Sequence, residues 1–323
     1  PILSFLRVPE EVWGGMREYL LIIFAGLLAT SLYNFFSCLL RALGNSTVPL
    51  VFLAVSAILN IAWDLLFVAV FHWGIAGAAY ATIFAQYVSG IGILLYVLFR
   101  CRSLFPERKD LCFDGGILKE IAGLSSLTCL QQSVMNFGIL MVQGLVNSFG
   151  ATTMAAFAAA VKIDTFAYLP VQDFGNAYST FIAQNYGAGN KERIRRGTKE
   201  SFAISTAFSL VISALVFAFA APLMQIFVSS AETAVIASGV RYLRIEGAFY
   251  FGIGCLFLLY GYYRAIKRAE MSVVLTVISL GIRVLLAYVL SATFLGETGI
   301  WMAIPIGWIL ADLTGLLYMR KTW

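Results

Sequence analysis

Charged side chains are sparse in this sequence. Of 323 residues, 17 are acidic and 22 basic, 12% together, where soluble domains carry about 25%. There is one histidine, His72, and the five cysteines (Cys38, Cys101, Cys112, Cys129, Cys255) are scattered and odd in number. That excludes a disulfide scaffold and zinc-type ligand spacing, so the cysteines read as free thiols and His72 as a turn residue. No nucleophile–base pairing stands out, which argues against an enzyme. Only seven prolines interrupt the chain. Ten-residue alternating patterns are absent too, which excludes a membrane β-barrel. A pI near 9.0 does not imply a nucleic-acid partner, because the basic residues sit in short segments between apolar runs.

What the chain has in abundance is hydrophobic residues, 60% of the total, with a mean hydropathy of +0.86. Runs of about 20 apolar residues are what a helix needs to cross some 30 Å of hydrocarbon. The sequence is therefore read as an all-α integral membrane protein, its lipid partner the bilayer, with nine transmembrane helices over 12–40, 47–71, 74–100, 117–147, 151–186, 200–227, 233–262, 270–294 and 298–319. The fourth and fifth runs are long and carry polar residues, so tilt or bending is expected there.

Lysine and arginine divide the loops into two sets. Arg41; Arg100, Arg102, Arg108 and Lys109; Lys191, Arg193, Arg195, Arg196 and Lys199; Arg264, Lys267 and Arg268; and Arg320 and Lys321 fall in alternate segments. The remaining loops, around His72, Gly150, Glu232 and Glu297, contain none. By the positive-inside rule the first set is cytoplasmic, so the chain starts outside and ends inside the cell membrane.

An internal repeat accompanies this pattern. An offset of 223 residues sets Tyr19-Leu20 on Tyr242-Leu243 and Arg41-Ala42 on Arg264-Ala265; after a two-residue slip, Gly74-Ile75 meets Gly299-Ile300. Helices one to three thus match seven to nine, while four to six have no counterpart before the first copy. The expected organisation is a partial N-lobe of three helices at 1–100, a cytoplasmic linker at 101–116 and a six-helix C-lobe at 117–323. It reads as the remnant of two six-helix lobes, with a three-helix block missing at the N-terminus and a substrate path between the lobes.

Within the second span, Ile58-Leu59-Asn60-Ile61-Ala62-Trp63-Asp64 places an aspartate in an apolar run. A bare carboxylate there costs about 2.5–3.5 kcal/mol. Asn60 lies one turn away on the same face. A short turn returns the chain so that Thr82 reaches about the same depth, some 10–12 Å below the outer face. This all-oxygen set suits a hard cation or a carboxylate that exchanges a proton. A hydrogen bond holding two helices together is the structural alternative.

Asn60-x-x-x-Asp64 with Gly77-Ala78-Ala79-Tyr80-Ala81-Thr82 resembles the fifth and sixth helices of the multidrug and toxic compound extrusion (MATE) family. Leu40-Arg41-Ala42-Leu43-Gly44-Asn45-Ser46-Thr47-Val48-Pro49 is similar to its loop between helices four and five. Gln184-Asn185-Tyr186-Gly187-Ala188-Gly189-Asn190-Lys191-Glu192-Arg193 is similar to its loop after helix eight. The resemblance implies a monomeric secondary antiporter without a cofactor, exporting small cationic or amphiphilic molecules against inward Na+ or H+. It implies a cation or proton site at Asn60, Asp64, Thr82 and the backbone of Ala78, completed by an aspartate in the missing block. It also implies a substrate cavity at Tyr19, Asn34 and Ser37. The C-lobe site of another branch is not matched, since Ser133 and Ile253 stand where its acids fall.

The other intramembrane polar residues, Gln131, Gln132, Lys162, Asp164, Glu246, Arg283 and Asp312, form an expected C-lobe network. Arg283 would pair with Glu246 or Asp312, and Lys162 with Asp164 would join it, either as structural ion pairs or as a substrate or proton path. Two rival functions are a lipid-linked oligosaccharide flippase, which calls for more cavity cations than Lys162 and Arg283, and a non-transporting scaffold, which calls for a larger soluble part.

Overall fold

A computed structural model describes residues 10–102 and 113–322; Arg108, Lys109, Cys112 and most of the expected linker lie outside the described residues. The helices, in order, are α1 Glu10–Ala25, α2 Leu27–Ala42, α3 Thr47–Asp64 with a π-helical continuation Leu65–Val70, and α4 Gly74–Arg100. They continue with α5 Gly115–Asn147, α6 Ala151–Gly187, α7 Lys191–Gln225, α8 Thr233–Gly247, α9 Tyr250–Ala265, α10 Ala269–Ser291 and α11 Glu297–Thr322. Among the described residues, eight spans are long and apolar enough to cross a membrane, nine when α8 and α9, bent by 51°, count as one broken span. The all-helical membrane fold expected from the apolar runs is the fold observed.

Backbone contacts divide the chain into two compact units, Pro1–Phe113 and Asp114–Trp323. In the first, α4 is packed on both sides. Its small residues let backbones approach: a Cβ at Gly90 would lie 2.6 Å from the Ala29 carbonyl, and one at Gly26 would strike Ile83 and Gln86. Helix α1 stops before Gly26, and the Ala25 carbonyl at its end accepts a 3.0 Å hydrogen bond from the Tyr87 hydroxyl, one of the ways an unpaired helix-end carbonyl is satisfied. On the other side of α4, Ser56 donates to the Ala85 carbonyl at 2.8 Å, and Phe52 lies against Gly92.

In the second unit α9 is the central helix. Leu256, Leu258, Leu259, Tyr262 and Tyr263 are all buried. Ser179 of α6 donates to the Gly261 carbonyl at 2.9 Å, and Tyr263 reaches the Gly315 carbonyl of α11 at 2.6 Å. Helix α7 departs from helical geometry at Phe219, three residues before Pro222, the position where a proline ring presses on the preceding turn.

The repeat is visible in the elements. A shift of 223 residues carries Glu10, Leu27 and Ala42 onto Thr233, Tyr250 and Ala265, the bounds of α8 and α9, and the break at Gly26 onto Phe249. It also carries Gly44 onto Lys267, and both have positive φ, 85° and 62°. At both ends the loop closes with the same pair of bonds, Gly44 N–H to Arg41 O with Asn45 N–H to Leu40 O, and Lys267 N–H to Arg264 O with Arg268 N–H to Tyr263 O.

Two boundaries differ from expectation. Lys191–Lys199, read as loop, is the start of α7: Asn190 Oδ1 caps the Arg193 amide at 3.0 Å, and Arg196 pairs with Glu200 one turn on at 2.8 Å. Glu297, also read as loop, opens α11. It accepts from Thr153 at 2.8 Å and Ser238 at 3.1 Å, and Arg241 lies 3.4 Å away, so it ties α6, α8 and α11 together.

Candidate functional site

In the first unit, Asn60 and Asp64 occupy the last turns of α3. Contacts of Phe52 with Gly92 and Phe67 with Gly77 bracket the α3–α4 pair, and this register sets Asp64 level with the Ala78–Thr82 turn. At 100° per residue, Asn60 and Asp64 lie roughly 50–90° round α3 from the line that meets α4. Ala78 and Thr82 lie roughly 70–110° round α4, on the same flank because the helices are antiparallel. Asn60 Nδ2 and Asp64 Oδ1 are both buried without a protein hydrogen-bond partner. Such atoms call for an explanation; eight others occur among the described residues, all in the second unit, so what sets this pair apart is its place one turn apart on a membrane helix, level with Thr82. Helix α3 also changes to π geometry immediately after Asp64, with Phe71 N–H bonding Leu66 O at 2.9 Å. Such insertions concentrate at functional sites.

The Thr82 hydroxyl donates to the Ala78 carbonyl at 3.0 Å. That carbonyl, inside α4, already faces the amide one turn on, so both its lone pairs are taken. The Ala78 carbonyl thus already has Thr82 as its hydrogen-bond partner, while the Thr82 oxygen keeps its own lone pairs. On the opposite face of α4, two residues and so about 200° from Ala78 and Thr82, Trp73, Ala76, Tyr80 and Phe84 line a separate cavity of about 490 Å3. Of the expected substrate positions, Tyr19 and Asn34 are exposed on α1 and α2. Ser37 is buried and accepts from Arg41 at 2.8 Å, so it faces its own helix turn.

In the second unit the expected network separates into parts. Asp164 and Glu246 are 5% and 6% exposed and lie close together with Tyr242 beside both, the Tyr250 hydroxyl donates to Asp164 Oδ1, and Asp164 Oδ2 and Glu246 Oε2 have no hydrogen-bond partner. Arg283 is near enough to act on both carboxyls, yet its Nε has no partner. Among the described residues no ion pair within 4.0 Å joins it to either acid, so the expected closed pair is an open one. Asp312 stands apart, near the Cys255 thiol, its Oδ1 buried without a hydrogen-bond partner. Lys162 is exposed, its ammonium 5.7 Å from the Phe227 ring centre. Two residues along a helix are about 200° apart, so Lys162 and Asp164 point away from one another. Gln131 is buried and Gln132 exposed on α5. The two tyrosines escaped the sequence reading, although Tyr242 and Tyr250 stand four residues either side of Glu246, a spacing that marks one helix face.

A family model described as MatE matches residues 1–66 and 127–289. The chain is 33% identical over 322 residues to "Probable multidrug resistance protein YpnP" of Bacillus subtilis (strain 168), covering 99% of this chain and 71% of that protein. It is 27% identical to "Probable multidrug resistance protein NorM" of Thermotoga maritima, covering 97% and 68%. The crystal structure of a mutant of the Vibrio cholerae MATE transporter VcmN shares its fold, with a TM-score of 0.92 at 24% identity, covering all of this chain and 73% of that one. With a family match across both units, a close-range relative and the shared fold, this chain belongs to the MATE family of multi-pass membrane transporters.

Proposed function

We propose that the protein is a secondary antiporter of the cell membrane that exports cationic or amphiphilic small molecules, multidrug substrates among them, in exchange for inward Na+ or H+. Asp64 is the coupling carboxylate, with Asn60 and the Thr82 hydroxyl as its polar partners. The observation that carries this reading is the orphaned pair Asn60 Nδ2 and Asp64 Oδ1, level with Thr82 on one flank of α3–α4. Alternating access couples the two events: ion binding at Asp64 favours one arrangement of the lobes and substrate binding the other. The C-terminus is cytoplasmic, on the side of the lysine and arginine clusters.

The test is ethidium efflux from proteoliposomes holding the full-length protein, under an inward Na+ gradient, an inward H+ gradient, or neither. Efflux driven by one gradient supports antiport and identifies the ion. Equal efflux with neither gradient overturns it.

A further inference from the structure

The Gln184–Arg193 motif takes no part in the Asp64 site, yet it builds a cavity of its own. Gly189, with φ of 69°, ends α6 in a left-handed turn closed by Gly189 N–H to Tyr186 O and Asn190 N–H to Asn185 O. Asn190 then caps α7. This turn aims Lys191 and Arg195, one helical turn apart on one face, at the loop that follows α9.

In that loop Lys267 holds positive φ and is anchored to Glu120 of α5 at 2.5 Å. Its neighbour Arg268 is positioned by Tyr318, which accepts from its Nη1 at 2.5 Å. Between the two turns lies a cavity of about 730 Å3, with Lys191, Arg195 and Arg268 on its walls beside a single acid, Glu192. Buried Tyr262 with Ile194 and Ile266 form an apolar side. Among the described residues neither Lys191 nor Arg195 has an ion-pair partner within 4.0 Å.

The cavity's level in the membrane follows from the sequence. Helix α7 is polar from Lys191 to Ser201 and apolar from Phe202; α10 turns apolar at Met271, about 5 Å along the axis from Arg268. Arg268 therefore stands at the headgroup layer, and Arg195, seven residues before Phe202, about 10 Å outside the apolar stretch with Ile194 next to it. Excess positive charge over an apolar floor, at that level, is complementary to a phosphodiester with acyl chains and not to a zwitterion.

We propose that this cavity is a binding site for the phosphate group of an anionic phospholipid, which bridges the α6–α7 and α9–α10 turns and steadies the second unit. The site is independent of ion coupling at Asp64, so either reading can fail without the other.

The test measures the melting midpoint of the purified full-length protein in mixed micelles of phosphatidylglycerol or of phosphatidylcholine, and in detergent with millimolar inorganic phosphate, with native mass spectrometry counting bound lipid. Phosphatidylglycerol should raise the midpoint and remain bound; phosphatidylcholine and inorganic phosphate should do neither. Lys191→Gln/Arg195→Gln, both at exposed positions, should weaken phosphatidylglycerol binding about 30-fold, the effect of two interfacial cations. Lys199→Gln/Arg320→Gln, which removes equal charge outside the cavity, should leave it unchanged. Equal loss in both double variants, or no loss in the first, overturns the site. An equal effect of inorganic phosphate overturns the lipid as its ligand.

Discussion

Tyr250, at the start of α9, donates its hydroxyl proton to Asp164 in the middle of α6, so that a neutral donor from one side of the α8–α9 break holds a buried carboxyl of a neighbouring helix. The bond spans 86 positions of sequence, and it joins the bent pair to the longest helix of the unit. Interhelical hydrogen bonds within membranes contribute about 0.5–2 kcal/mol. Tyr250→Phe is expected to destabilise the second unit by that amount, read as a lower denaturation midpoint of the purified protein. An unchanged midpoint would show that the break is held by packing alone.

Arg283 is the cation facing Asp164 and Glu246. Breaking a closed buried pair costs about 3–5 kcal/mol, and this open arrangement should cost less. Arg283→Leu should therefore destabilise by less than that, and Arg283→Leu/Glu246→Gln should recover a large part of the loss. Additive losses in the double variant would mean that the arginine acts elsewhere.

Close approach of α4 to α2 depends on Gly90, where a Cβ would meet the Ala29 carbonyl at 2.6 Å, whereas nothing stands within 4 Å of a Cβ at Gly123. Gly90→Ala should cost about 1–3 kcal/mol by overpacking. Gly123→Ala, in the middle of α5, should be neutral or stabilising by up to about 1 kcal/mol. Thermal midpoints of the two variants, measured side by side, decide this.

Much of the fold was legible because hydrocarbon imposes one requirement on every span, about 20 apolar residues with the backbone bonded internally. The repeat was legible for the same reason, since Arg41-Ala42 and Arg264-Ala265 mark equivalent helix ends. Other features are set by contacts that no single segment displays. The break at Gly26 lies inside an unbroken apolar run, and only the tertiary partner of the Ala25 carbonyl, Tyr87, shows how the break is held there. Lys191–Lys199 looked like a loop because its charges hide a capped helix stabilised by pairs four residues apart. At the site, Asp64 and Asn60 were visible as polar residues in an apolar run. The π turn beyond them and the double occupancy of the Ala78 carbonyl depend on backbone geometry that composition does not encode. Lys162 was drawn to Asp164 by proximity in sequence, and helical phase separates them.

Thr82 is the test of the site's second helix. Thr82→Val keeps the shape of the side chain and removes its oxygen, freeing one lone pair on Ala78. The expected result is a lower apparent affinity for the coupling ion, by about tenfold for one lost hydrogen-bonding ligand, with little change in melting midpoint. An unaltered ion dependence of efflux would remove Thr82 from the site.

The central claim is that Asp64 couples ion entry to substrate export, and the most direct measurement is gradient-driven ethidium efflux by Asp64→Asn in proteoliposomes, alongside equilibrium ethidium binding by the same preparation. Asparagine preserves size and polarity, replacing one carboxylate oxygen with an amide donor, and removes the charge that answers the ion. The account predicts efflux reduced to the protein-free leak while ethidium binding persists. Efflux at the rate of the unmodified protein, still driven by the same gradient, would contradict it.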